Sequence, residues 1–445
     1  MTYDLVLRAR RLVDHDGERP ATVAVAGGRV ALVASYDEPV EATEVVELGA
    51  DQVLLPGLVD THVHVNDPGR TAWEGFASAT RAAAAGGVTT IVDMPLNSIP
   101  PTVDVPALEL KRATALSQAF VDVGFWGGAV PGNLADLAPL WERGVFGFKS
   151  FLLPSGVEEF PPLDRLELAV VAAKLVRLGG LLIVHAEDSR VIEASPVAAG
   201  AHYADFLASR PRAAENVAVA DVVAVARATG CRVHVLHVSS AETLALLARA
   251  RADGLPVSAE TCPHYLSFAA EEIPDGATPY KCCPPIREAA NRDRLWEGLR
   301  DGVISMVVSD HSPSTPDLKR LESGDFAAAW GGISSLQLGL AAVWTEARAR
   351  GFGLPDVVRW MARNPADLVG LRGKGRIEVG GDADLVVLDP DAELVVDPRA
   401  LHHKNPITPY DGRRLCGVVR STWLRGRKVD LEAEPRGRLL ERQDR

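Results

Sequence analysis

The sequence predicts an α/β fold: a (β/α)8 TIM barrel carrying a small β-sandwich built from both chain ends. Three observations carry this. Over residues 56–374, short apolar runs alternate with Ala- and Leu-rich segments of helical period, such as LAVVAAKLVRLGG before LLIVH. That alternation implies parallel strands with crossover helices. Residues 1–55 instead alternate apolar and polar with Gly-Gly turns, as in TVAVAGGRVALVAS, the period-2 texture of antiparallel hairpins. The texture returns after Gly375, in RIEVGGDADLVVLDP and LCGVVRSTWLRGRKV. Residues 1–55 and 375–445 are therefore expected to form the small domain together, and 56–374 the barrel.

Within the barrel, strands are expected near 59–64, 89–94, 121–129, 147–151, 181–185, 233–238, 257–261 and 304–309. At about 30 residues per βα unit, eight of them suit a barrel. The closing segment, EAEPRGRLLERQDR, is charged and is expected to be a loosely held tail.

Composition excludes several functions. A length of 445 residues exceeds what one simple core fills, and 47% apolar with 24% charged residues is ordinary for a globular protein. The net charge of -12 argues against nucleic-acid or anionic-membrane partners, which demand basic patches. No apolar stretch approaches the ~20 residues that span a bilayer. The N-terminus, MTYDLVLRARRLVD, lacks the apolar core of a signal peptide. Five irregularly spaced cysteines fit reduced thiols in the cytoplasm, and the vicinal Cys282-Cys283 is not read as a metal or redox pair.

Six residues at the expected C-terminal ends of these strands share a chemistry: His62 and His64 in PGLVDTHVH, Lys149 in GFKSF, His185 in LLIVHAED, His237 in HVLHVSS and Asp310 in VVSDHS. Catalytic side chains collect at that face of a barrel. Nitrogen and oxygen ligands without thiolate suit zinc or a similar divalent metal. His62 and His64 stand at i and i+2, so both imidazoles project from one strand face, where a buried pair is costly unless it binds metal or hydrogen-bonds well. An ammonium at Lys149 could not sit beside cations. Either its head reaches solvent or a carboxylate, or the neutral amine takes up carbon dioxide as a bridging carbamate, which burial would favour. His185 and His237 could be satisfied core histidines, and Asp310 could merely cap a helix. Opposite four imidazoles, Asp310 reads better as a ligand whose free oxygen handles protons. His234, three residues before His237, is placed on the opposite, helix-facing side and left out.

The ordered motifs PGLVDTHVH, GFKSF, HAED, HVLHVSS and SDHSP resemble the cyclic-amidohydrolase branch of the amidohydrolase superfamily, which includes dihydroorotases, hydantoinases and allantoinases. The longer strings NDPGRTAWEGF, AAAAGGVTTIVDMPLNSIPPT, ETCPHYLSFAAEEIPDGATPYKCCPPIRE and AWGGISSLQLGLAAVWTEARARG are similar to the allantoinase group in particular. The resemblance covers nearly the whole chain.

It implies two divalent metal ions, one on His62, His64 and Asp310 and the other on His185 and His237. Lys149, modified to N6-carboxylysine by carbon dioxide, and a hydroxide would bridge them. Such a site can depress the pKa of bound water towards ~7. The implied reaction is attack on a ring amide carbonyl, with Asp310 moving the proton to the departing ring nitrogen. The implied substrate is allantoin, opened to allantoate in purine catabolism, and the implied assembly a homotetramer. Substrate contacts are expected from Asn97, from Ser312 and from the backbone near Cys283. Asn66 continues the His62–His64 alternation and is expected to face the pocket. Dihydroorotases carry an arginine there, able to grip a carboxylate, so asparagine favours a neutral ring. Arg70, in a Pro-Gly turn, is read as structural. Residues 312–332, rich in Pro, Ser and Gly, are expected to be a lid or a wall, with Trp330 over the ring or packed as a core aromatic. A hydantoinase or dihydropyrimidinase is the runner-up, dihydroorotase third. A non-catalytic scaffold relative is disfavoured because all six positions are filled.

Overall fold

The structure, a computed structural model, describes residues 2–14 and 17–442. Strands from both chain ends form one eight-stranded sheet, in the order Arg427–Lys428, Arg414–Leu424, Leu385–Val395, Val53–Pro56, Tyr3–Asp14, Gly17–Ala26 and Arg29–Ala34, with Ala42–Glu47 also paired to Tyr3–Asp14. Tyr3–Asp14 serves two neighbours because its register shifts between Ala9 and Leu12. Its first half runs parallel to Ala42–Glu47 and Leu12 pairs with Leu54. Period-2 alternation then sorts the side chains. Leu54, Leu385 and Val387 join Leu5, Leu7 and Trp423 in a core of this domain's own. Val53, Leu55, Val386 and Leu388 join the core that runs through the barrel's helices.

The barrel strands are Leu58–Val63, Val88–Asp93, Asp122–Phe125, Phe148–Phe151, Leu181–His185, Arg232–Val235, Val257–Thr261 and Met306–Val307. All their mutual pairings are parallel. The first and eighth close through a bridge between Val63 and His311 and through His64 N donating to His311 O at 2.8 Å. Parity sorts the side chains most plainly in the fifth and sixth strands. Leu182, Val184, Val233 and Val235 pack outward with helix residues Leu168, Leu175, Val219 and Val222, while Val59, Val92, Trp126 and Ile183 fill the interior. The helix Arg165–Leu178 shows why crossovers stop where they do. Asp164 and Glu167 make a capping box at its start, and Gly179, at φ 67°, ends it in the left-handed conformation that glycine adopts without strain.

As far as Arg442 the closing segment is not loose, and its last three residues, 443–445, lie outside the described residues. Val123 N donates to Arg438 O at 2.9 Å, Leu440 N to Val123 O at 2.8 Å, and Arg442 N to Gly144 O at 2.9 Å. The segment thus pairs with the base of the third barrel strand, and the Arg442 guanidinium lies 3.7 Å from the Trp141 ring centroid. A polar tail held by backbone bonds carries no side-chain periodicity to announce it. Among the described residues no helix is long and apolar enough to cross a membrane.

Candidate active site at the strand ends

His62 lies in the first barrel strand and Lys149 in the fourth, His185 ends the fifth, and His64, His237 and Asp310 follow the first, sixth and eighth. All six line one cavity of about 260 Å³. His62 Nε2 stands 3.0 Å and His64 Nε2 3.6 Å from Asp310 Oδ1. The His185 and His237 rings meet edge-on at 4.4 Å, and those of His62 and His237 lie 5.4 Å apart. His62, His237 and Asp310 each offer a ligand atom within 4.8 Å of the others.

This donor set fits divalent metal ions. Among the described residues, His62 Nε2 and His237 Nδ1 are buried without a hydrogen-bond partner, the former out of line with Asp310 despite their closeness. Buried polar atoms are rarely left so, and a cation would satisfy both. Lys149, 1% exposed, makes no ion pair among the described residues and lies 4.5 Å from the Phe151 ring centroid. Burial lowers its pKa to about 8, which leaves an appreciable neutral fraction able to react with carbon dioxide.

A second layer of carboxylates fixes the imidazoles. Glu260 bonds His62 Nδ1 at 2.5 Å and His234 Nε2 at 2.9 Å, and Glu187 bonds His185 Nε2 at 2.8 Å while held by Arg210 at 2.6 Å. Such partners fix ring orientation and raise ligand basicity. Asp93 accepts from Val65 N at 2.9 Å and pairs with the buried Lys111 at 2.6 Å, which anchors the chain just past the two histidines. Among the described residues, three of the five non-glycine residues with positive φ, Asn66 at 64°, His237 at 34° and Asp310 at 45°, lie in or beside the site. Strain of this kind persists where surrounding structure imposes it, typically at functional sites.

Electrostatics separate the imidazoles. Burial pushes His64 down to about 4 and His185 and His237 below their ordinary value, so they stand neutral and ready to ligate. Burial opposes charge on His62 too, but Asp310 and Glu260 outweigh it and raise it to about 9. Burial likewise works against charge on Asp310, yet the surrounding histidines hold it well below the usual carboxylate range. A cation among these groups would displace the proton that Asp310 and Glu260 favour on His62.

Asn97, Cys283, Ser312 and Trp330 all line the cavity. Asn66 does not. It is fully buried behind Asn97, accepting from Asn97 Nδ2 at 3.0 Å and donating to Pro313 O at 3.4 Å. The alternation that placed it in the pocket fails because the strand ends at Val63 and Asn66 has turned left-handed. His234 is corrected for the same reason. The sixth strand ends at Val235, so parity does not carry to His237, and His234 points inward to Glu260. Arg70 donates to Asn97 O and pairs with Glu159, as a structural residue would.

Sequence reading missed Arg210 and Lys281, which line the cavity, and Glu260, legible as an acid on the inward face of a buried strand. It also missed a clamp. Lys281 Nζ donates to Ala329 O at 2.6 Å and to Ala327 O at 3.2 Å, and the buried Lys319 donates to Trp330 O at 3.1 Å and to Gly332 O. Trp330, edge-on to Trp73 at 5.0 Å, is thereby fixed as part of the cavity wall.

The amidohydrolase family model matches residues 53–429. An allantoinase of Streptomyces avermitilis is 59% identical over 443 residues, covering 99% of each chain. An allantoinase of Saccharomyces cerevisiae is 45% identical, covering 95% of this chain and 94% of its own. Among solved structures, an L-hydantoinase (dihydropyrimidinase) from Arthrobacter aurescens superposes with a TM-score of 0.93 at 32% identity, covering 99% of this chain and 100% of that one.

Proposed function

This chain belongs to the amidohydrolase family, and from that premise we propose that it opens the hydantoin ring of allantoin by hydrolysis, giving allantoate. One observation carries the reading: full-length similarity to allantoinases coincides with a buried cavity in which four histidines, a lysine and an aspartate converge.

His62, His64 and Asp310 would hold one divalent metal ion and His185 and His237 a second. Lys149 as N6-carboxylysine would contribute an oxygen to each. Zinc suits these nitrogen and oxygen donors. Bound there, the two ions supply Lewis acidity that lowers the pKa of a water and polarises the amide carbonyl. The chain's own residues do the rest. Asp310, held anionic beside His62, accepts the proton of the attacking water and delivers it to the departing ring nitrogen. Glu260 and Glu187 keep the ligating nitrogens of His62 and His185 aimed into the cavity. Asn97 and Ser312 offer polar groups to the ring's amides, Cys283 its backbone, and Trp330 an aromatic wall.

A cytoplasmic homotetramer is part of the same reading. The five cysteines stand as free thiols, which suits a reducing compartment. The superposition on a hydantoinase gives the second reading, hydrolysis of hydantoins or dihydropyrimidines. Hydrolysis of allantoin, hydantoin, dihydrouracil and dihydroorotate measured side by side decides between them. The proposal requires allantoin to have the highest kcat/KM and fails if another ring does.

A further inference from the structure

We propose that Cys262, His264 and Asp310 form a third divalent-cation site, softer than the binuclear set, whose filling takes Asp310 from its catalytic position. The competition rests on the assignment of Asp310 above. The existence of the site does not.

The seventh barrel strand, Val257–Thr261, brings Glu260 to His62, and Cys262 follows two residues on. Cys262 and His264 are both fully buried. Together with Asp310 they offer sulfur, nitrogen and oxygen atoms that all lie within 4.8 Å of one another. Among the described residues, neither ring nitrogen of His264 has a hydrogen-bond partner. The nearest aromatic, Tyr265, meets its ring edge-on at 4.2 Å but spends its hydroxyl on Pro284 O at 2.7 Å. An imidazole with neither nitrogen satisfied is among the costlier things to bury, and no residue of the proposed reaction explains it.

A cation explains all three side chains at once. Imidazole, thiolate and carboxylate are common zinc ligands, and the thiolate favours zinc or cadmium over magnesium or manganese. Burial and the nearby Asp310 carboxylate keep the Cys262 thiol protonated in the empty site. Ligation would release that one proton, since a coordinating thiol is deprotonated. Asp310 also faces His62 and His64, so a cation on Cys262 and His264 draws on the carboxylate that the reaction needs. Excess zinc should then inhibit.

The binuclear set contains no sulfur, which gives the site its own signature. Metal-depleted full-length protein is titrated with cobalt(II), and the near-ultraviolet spectrum is followed. Beyond about two equivalents per chain, the content of a binuclear site, a thiolate-to-cobalt charge-transfer band should grow in. It should survive Cys282→Ser and Cys283→Ser and disappear in Cys262→Ser and in His264→Gln. Cys262→Ser should also shift the inhibitory zinc concentration upward by at least about tenfold, since even losing a partner that only orients a ligand costs about that much in metal affinity. No sulfur band from the unsubstituted protein at any cobalt level would overturn the site, whatever the variants do. So would a band that persists in Cys262→Ser. A sulfur band without zinc inhibition would overturn the competition for Asp310 alone.

Discussion

Glu260 bonds Nδ1 of His62 at 2.5 Å and so leaves Nε2 as the nitrogen that faces Asp310. Its other oxygen bonds His234 Nε2, whose Nδ1 meets Ser258 Oγ at 2.7 Å. A chain of Glu260, His234 and the half-buried Ser258 therefore sets the tautomer of His62. Glu260→Gln keeps the shape but can no longer accept from both imidazoles as an anion. Its metal affinity and kcat/KM should each fall about 10–100-fold, read by metal content after dialysis and by steady-state kinetics. Unchanged metal content with unchanged kcat/KM would reduce Glu260 to a packing residue.

The same contact shows where sequence could be read and where it could not. The six converging residues were legible because each lies in or just past a buried strand, where polarity needs a reason. Alternation placed His62, inside the first strand, and His64, just past its end, in one cavity and failed two residues further on. Asn66 and His237 have positive φ, and one such residue breaks the period-2 count that put Asn66 in the pocket and His234 outside. Lys281 and Lys319 were invisible for another reason. Their partners are backbone carbonyls of residues 327–332, which no side-chain pattern records.

In the proposed site, Lys149 is the residue whose role depends on modification. With its pKa lowered to about 8 by burial and no carboxylate paired to it, Lys149→Ala should lose most activity and at least one metal ion while the barrel stays folded. Short carboxylic acids should restore part of the rate by replacing the missing bridge. Mass spectrometry under native conditions should find the carbamate's added mass on the unsubstituted chain. An active Lys149→Ala protein holding two metal ions would exclude the carbamate.

The chain's closing segment should matter for stability rather than for catalysis. Ending the chain after Arg436 removes the bonds from Gly437 N to Ala119 O, from Leu440 N to Val123 O and from Arg442 N to Gly144 O, and the acceptor for Val123 N. At about 1 kcal/mol each, the loss is roughly 3–4 kcal/mol, measured by urea unfolding. Gly437→Val should destabilise as well, since a Cβ there would lie 2.0 Å from Val121 O. A truncated chain as stable as the full one would show that the seam contributes nothing.

Substrate choice follows from how the cavity's cations are already engaged. Arg210 and Lys281 line it, but Arg210 is bound to Glu187 and Lys281 to the carbonyls of Ala327 and Ala329. Neither is free to neutralise a substrate carboxylate. Asn66, itself anchored to Pro313 O, accepts from Asn97 Nδ2 and thereby leaves Asn97 Oδ1 for the cavity. A carbonyl oxygen accepts from the N–H groups of a ureido or hydantoin unit and repels a carboxylate. Leaving a carboxylate desolvated and unpaired costs several kcal/mol, so allantoin should exceed dihydroorotate by at least ~10³-fold in kcat/KM. Asn97→Ala should lower kcat/KM for allantoin more than Asn66→Ala does, because Asn97 lines the cavity and Asn66 only orients Asn97. Asn66→Arg should damage allantoin hydrolysis without creating turnover of dihydroorotate, since the new guanidinium would start from a fully buried, left-handed position behind Asn97. Kinetics for both substrates in all four proteins check this. Comparable values for the two substrates in the unsubstituted enzyme would show that a cation in the cavity is freed on binding, and the asparagine pair would then not be what selects the ring.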